Sequence, residues 1–140
     1  MPSFSKPTIE SRRLTSSDYA FGIGNEAKIR PRLARYFKRP IRKTLDRYCP
    51  FDFEGDGIRI ELKSRNMSVH SESTTFMPVH KIYSKGNGRL YFAFDFTDGL
   101  YLIEYTEAKF CRFEIVNIKH YGKVTPTFKI PVSLLRRIRV

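Results

Sequence analysis

Pro50-Phe51-Asp52-Phe53-Glu54-Gly55-Asp56-Gly57-Ile58-Arg59-Ile60-Glu61-Leu62-Lys63 is the stretch on which the reading of this chain turns. Asp56-Gly57 is the dipeptide that a two-residue type I′ turn favours, because both central residues of that turn need φ > 0. The register follows from the turn. Gly55 faces Ile58, Glu54 faces Arg59, Phe53 faces Ile60 and Asp52 faces Glu61. Cross-strand partners share a face at about 5 Å, and side chains alternate faces along a strand. Phe51, Phe53, Ile60 and Leu62 therefore form an apolar face. Asp52, Glu54, Arg59, Glu61 and Lys63 form a polar one. A slip of one residue would bury the charges, so the register is well specified.

The polar face has a chemical use. Two hard carboxylates side by side can hold Mg²⁺ or Mn²⁺ against a phosphate. Lys63, next along the strand, can orient a water or meet charge developing on phosphorus. Asp56 competes with Asp52 as a ligand, but the turn puts it at the tip, away from Glu61. The alternative reading is a surface hairpin in which Glu54–Arg59 is an ordinary cross-strand pair.

With 140 residues the chain is long enough for one domain with a core. An apolar content of 41% and an aromatic content of 14% point to a folded, β-rich protein rather than a disordered one. No run approaches the roughly 20 apolar residues of a membrane span, and no signal peptide is visible. An intracellular, non-membrane protein is expected, with Cys49 and Cys111 as reduced thiols and a disulfide between them as the alternative. Lys and Arg number 26 against 14 acids, a net charge of +12. Such a balance attracts polyanions, nucleic acid above all. The hairpin alone carries Asp52, Glu54, Asp56 and Glu61. An acidic spot on a basic chain suits a metal-dependent nuclease, in which the bases neutralise phosphates and the acids concentrate a cation.

Residues 1–17 read as a flexible basic arm, and residues 18–140 as a single domain. Ser16, Ser17 and Asp18 would cap a short turn, and Gly22-Ile23-Gly24 would loosen the chain. A helix is expected from Asn25 as N-cap, with Ile29, Leu33, Tyr36 and Phe37 on its apolar stripe and a kink at Pro31. Arg30, Arg32 and Arg35 on this helix read either as a solvated face or as phosphate contacts. Residues 41–48 read as a short helical turn, 64–75 as a loop, and a short helix begins near Pro78. Tyr91-Phe92-Ala93-Phe94-Asp95-Phe96 is an aromatic strand. Thr97-Asp98-Gly99-Leu100 closes a second hairpin that sets Phe92, Phe94 and Phe96 on one core face with Tyr101, Ile103 and Tyr105. A further strand follows over 110–118, and a short basic helix or strand over 132–140. The sum is a mixed α/β domain with one central sheet.

At this point the chain resembles the PD-(D/E)xK nuclease superfamily. Asp52, eight residues, then Glu61-Leu62-Lys63 matches its signature, with the usual proline shifted to Pro50. Tyr19-Ala20-Phe21-Gly22-Ile23-Gly24-Asn25-Glu26, followed by Ile29, Leu33 and Phe37, is similar to the superfamily's leading helix. His80-Lys81 falls where some members carry a basic residue. The aromatic hairpin looks like their next two strands. The arrangement is similar to small nucleases and resolvase-like proteins of phages and large DNA viruses.

The resemblance implies a restriction-endonuclease-like mixed central sheet flanked by helices, and a Mg²⁺- or Mn²⁺-dependent DNA endonuclease. It implies metal ligation by Asp52, Glu61 and the Leu62 backbone carbonyl. Glu26 would act through a water or a second ion. Lys63 would be the catalytic lysine, and His80 and Lys81 would touch DNA beside Arg30, Arg32 and Arg35. A Holliday-junction or branched-DNA resolvase is one alternative and would need a homodimer. A non-catalytic nucleic-acid-binding module on the same fold is another. A basic RNA-binding module would explain the charge but not the clustered acids.

Overall fold

The computed structural model describes residues 8–10, 16–44, 51–84, 86 and 88–139. In chain order the strands are β1 (Thr8–Glu10), β2 (Arg42–Lys43), β3 (Phe53–Gly55), β4 (Ile58–Ser64), β5 (Thr74–Pro78), β6 (Arg89–Phe96), β7 (Gly99–Glu104), β8 (Glu114–His120), β9 (Lys123–Pro131) and β10 (Arg136–Ile138). The helices are α1 (Ser16–Phe37) and the one-turn α2 (Glu107–Phe110). Short 3₁₀ segments occupy Val69–Ser71, Val79–Ser84 and Val132–Leu134.

Ile58, Ile60 and Leu62 recur at period two along β4, so they leave the strand on one face. There they meet Ile29 and Leu33 of α1, together with Phe53, Tyr91, Ala93, Leu100 and Leu102. The opposite face of the same sheet carries Leu90, Phe92, Phe94, Phe96 and Ile103, packed on Met77, Phe128 and Ile130 of a second sheet. The six-stranded sheet runs β10-β7-β6-β4-β3-β2 and the four-stranded one β1-β8-β9-β5. Thus α1 covers one face of the larger sheet and the smaller sheet covers the other. This differs from a sheet flanked by helices on both sides. The second layer is β because β5 leaves the β4-to-β6 crossover and pairs with β9. Pairing is mixed: β4 runs parallel to β6, while β3–β4 and β6–β7 are antiparallel. The central β6 is buried on both sides, which is why it reads as a nearly continuous apolar run.

The first hairpin keeps the expected register, Phe53↔Ile60, Glu54↔Arg59 and Gly55↔Ile58. Only Gly57 of its turn has positive φ, 71°, so the turn is not type I′. Phe51 is buried but stands outside the helix-facing cluster. Its ring lies 5.0 Å below the Arg59 guanidinium, because regular pairing stops at Phe53. The second hairpin keeps the expected shared face, Phe92↔Ile103 and Phe94↔Tyr101, but its loop is Thr97-Asp98, with Gly99 already paired to Phe96. Asp98 is held there by outside partners. Its carboxylate accepts from Ser68 Oγ at 2.8 Å and from the Val69 N–H at 3.0 Å.

Several boundaries differ from the sequence reading. α1 begins at Ser16 and runs through Gly22, Gly24 and Pro31, so Asn25 is internal and not the N-cap. Two glycines weaken a helix by roughly 1 kcal/mol each, which is not enough to break one of 22 residues. The helix ends where Lys38 turns left-handed (φ 55°) and the Arg39 N–H reaches back to the Ala34 carbonyl at 3.2 Å, a Schellman closure before Pro40. Within the expected arm, Thr8–Glu10 pairs in parallel with β8. Residues 1–7 and 11–15 lie outside the described residues, as does Cys49. Arg42–Lys43 is strand, and 45–48 of the expected turn fall outside the described residues. Thr74–Pro78 is a strand that takes in the last two residues of the expected loop, and the short helix expected near Pro78 is the 3₁₀ segment Val79–Ser84. Glu107–Phe110 is a helical turn that precedes β8.

Candidate functional site

Asp52 stands just before β3, between β4 and the end of β2, where its carbonyl accepts the Thr44 N–H at 2.9 Å. Its N–H donates to the Ile60 carbonyl at 3.0 Å, although Phe53 already pairs with Ile60. Two residues on one strand thus meet one on the other, the arrangement of a β-bulge. The expected opposition of Asp52 and Glu61 gives way at this bulge. The Asp52 carboxylate lies in line with the ladder instead, and Oδ2 accepts the Leu62 N–H at 2.7 Å. A strand residue sends its N–H and C=O to the same edge. The Leu62 carbonyl therefore turns to the Asp52 side as well.

Glu61 and Lys63 leave β4 on the face opposite α1. Glu61 is almost fully buried, 4% exposed. Its Oε1 lies 3.0 Å from Lys81 Nζ and 3.7 Å from Lys63 Nζ. Lys81 arrives from the 3₁₀ segment Val79–Ser84 that follows β5. Burial pushes the Glu61 carboxyl above the usual glutamate range, and the neighbouring charge of Asp52 adds to the rise. The two ammonium groups oppose it. Burial likewise lowers the proton affinity of Lys63, with Glu61 acting in the other direction. Burial therefore works against the charged form of both groups, while each charge favours the other.

The neighbourhood is basic. His80 is held below its usual value, first by loss of hydration, then by the charges of Lys81, Lys123 and Lys63. Lys123, at the start of β9, was not legible as a site neighbour because the pairing of β5 with β9 brings it there. Arg65 follows β4 and is structural: it donates to the Phe76 carbonyl at 2.8 Å and lies over the Phe94 ring.

The structure brings together Asp52, Glu61, Leu62, Lys63, His80 and Lys81 from the sequence-derived set. Glu26 is ion-paired with Lys43 of β2, on the helix side of the sheet. The helix arginines stand on the side of the sheet away from Glu61 and Lys63. There Arg30 donates to the Ile41 carbonyl at 3.3 Å and Arg32 to the Ile138 carbonyl at 3.5 Å, whereas Arg35 is exposed. The charges of Arg32 and Lys28 also oppose the rise that burial imposes on the Asp95 carboxyl.

Among the described residues no three His, Cys, Asp or Glu side chains gather as a metal cage. The donors present are two carboxylates and a backbone carbonyl. Mg²⁺ is commonly held in this way, by one or two carboxylates plus substrate oxygens and waters, so the donor set fits that ion. No described helix is long and apolar enough to cross a membrane. No protein-family model, curated protein or solved structure matches this chain.

Proposed function

We propose that this protein is a metal-dependent DNA endonuclease of restriction-endonuclease-like fold, with Asp52, Glu61 and Lys63 as its active centre. The observation that carries the reading is the buried Glu61 carboxylate held 3.0 and 3.7 Å from two lysine ammonium groups, one strand residue from the Leu62 amide that Asp52 grips. A purely structural ion pair has little need of a second carboxylate that raises the proton affinity of the first. The order of α1, the β3–β4 hairpin, a crossover carrying His80-Lys81 and a parallel β6 is consistent with the fold.

Asp52, Glu61 and the Leu62 carbonyl would hold the ion. When bound, Mg²⁺ supplies a Lewis acid for a phosphoryl oxygen and lowers the pKa of water. Lys63 Nζ orients the attacking water and then faces the charge that develops on phosphorus. Lys81, whose Nζ lies 3.0 Å from Glu61 Oε1, would meet a non-bridging phosphate oxygen. Water displaces the 3′ oxygen in line and leaves a 5′-phosphate.

The test is cleavage of linear, nicked, single-stranded and four-way-junction DNA with Mg²⁺, Mn²⁺ or EDTA. Cutting is expected with either ion and not with EDTA. Glu61→Gln should not cut. Lys63→Ala should cut about a hundredfold more slowly, the scale of losing a transition-state donor, with DNA affinity little changed. Metal-independent cutting, or full activity in Glu61→Gln, would exclude this centre. Binding without cutting on every substrate would favour the non-catalytic module.

A further inference from the structure

We infer that the tip of the β8–β9 hairpin is a base-stacking finger, in which Tyr121 packs against an unpaired base of single-stranded DNA while Lys123 holds a neighbouring phosphate. The inference takes its partner, the DNA strand led to the candidate site, from the nuclease reading.

His120 pairs with Lys123, so the turn consists of Tyr121-Gly122 alone. Both residues have positive φ, 51° and 78°, as a type I′ turn requires. That turn favours Asn or Asp in its first position. A bulky tyrosine in the left-handed region is strained. Burial does not offset the strain, because Tyr121 is 67% exposed. The His120 ring meets it edge-on with centroids 4.2 Å apart, which braces the ring from one side and leaves much of it to solvent. A braced, exposed aromatic on a stiff two-residue turn is a stacking platform.

Charge and place agree with this. From Ile115 onward the chain holds Lys119, Lys123, Lys129, Arg136, Arg137 and Arg139 and no acid. Pro78 at the end of β5 pairs with Thr127 of β9, so the segment that bears His80 and Lys81 leaves the sheet beside the start of β9. The tip therefore stands at the same end of the molecule as the Glu61–Lys81 pair. In a duplex the bases are stacked inward and only phosphates are offered to such a tip. In a single strand or at a branch the base face is open.

The chain contains no tryptophan, so Tyr121→Trp introduces at the tip a single tryptophan that can be excited selectively over the tyrosines. In EDTA, its emission should be quenched by oligothymidylate and left unchanged by inorganic polyphosphate, which has charge but no bases. Tyr121→Ala should weaken oligothymidylate binding about five- to a hundredfold and blunt-duplex binding by about twofold or less. Tyr121→Asn suits the turn better, so it should raise Tm by roughly 2–4 °C and show the same loss of single-strand affinity. An unquenched tryptophan, or equal losses on both DNAs, overturns the inference. Because none of these measurements depends on cleavage, and the binding ones are made in EDTA, quenching by a protein that never cuts keeps the finger and removes the nuclease reading. Cutting without quenching does the reverse.

Discussion

Asp52 has two separable roles, a hydrogen-bond acceptor for the Leu62 amide and a negative charge beside Glu61. Asp52→Asn keeps an oxygen acceptor and deletes the charge. It should fold normally, fail to bind Mn²⁺ by calorimetry, and still bind DNA. Asp52→Ala also deletes the acceptor and should lose about 1–3 kcal/mol of stability in urea. Equal Mn²⁺ affinity in the wild type and Asp52→Asn would remove Asp52 from the metal site. Glu61 sets the pH behaviour. Its proton affinity is raised by burial and then by Asp52, and metal uptake needs the ionised form. Mn²⁺ affinity should therefore keep climbing above pH 4.5, the ordinary glutamate value; a profile flat from there upward would contradict the burial argument. For stability without metal the sign is opposite to that of a salt-bridged acid. Folding favours protonated Glu61, so its contribution is greatest below the ordinary value and is lost as pH rises through the raised one. Added Mn²⁺ should offset that loss by binding the folded form.

At the scale of elements, the β6–β7 hairpin and the Val69–Ser71 turn are joined through Asp98. The backbone donor from Val69 is the main reason the Asp98 carboxyl lies below its usual value, with Ser68 next. Its contribution should be complete above the ordinary Asp range and disappear only as pH falls through the lowered value. In Asp98→Ala the Val69 amide should exchange hydrogen faster while amides of β4 keep their protection. Unchanged exchange at Val69 would show that the turn holds without this clamp. The hairpin register of β3–β4 was legible because alternation and one Asp-Gly pair act over a few residues. The bulge at Asp52 was not, since it depends on where β2 and the Leu62 amide lie. The start of α1 was misplaced because two glycines resemble a break when the surface that the helix covers is unseen. The second sheet layer was hidden for a similar reason: β5, β8 and β9 have weak local patterns and are fixed by pairing across large sequence separations. Glu26 illustrates the limit of motif reading, for Lys43 of β2, itself expected in a helical turn, is its ion-pair partner.

For the whole molecule, a net charge of +12 should make DNA affinity fall steeply with salt, log K declining linearly with log salt by about 0.9 for each phosphate neutralised. Little sequence preference is expected, because phosphate contacts position a protein without reading bases. Sequence-specific binding that survives high salt would refute this. The parallel pairing of β4 with β6 has a consequence in time. A hairpin such as β3–β4 closes in roughly 1–10 μs. The β4–β6 pair must wait for an intervening segment to cross over and dock β5 in the other sheet, a slower, non-local event. Asp52 and Glu61 thus meet early in folding, and Lys81 arrives late. In that interval the two carboxylates repel each other without their full counter-charge, and a divalent cation can stand in for the missing lysine. Mg²⁺ should accordingly speed refolding of the wild type in stopped-flow measurements and leave Glu61→Gln unaffected; equal acceleration of both would show that the carboxylates are not the early nucleus.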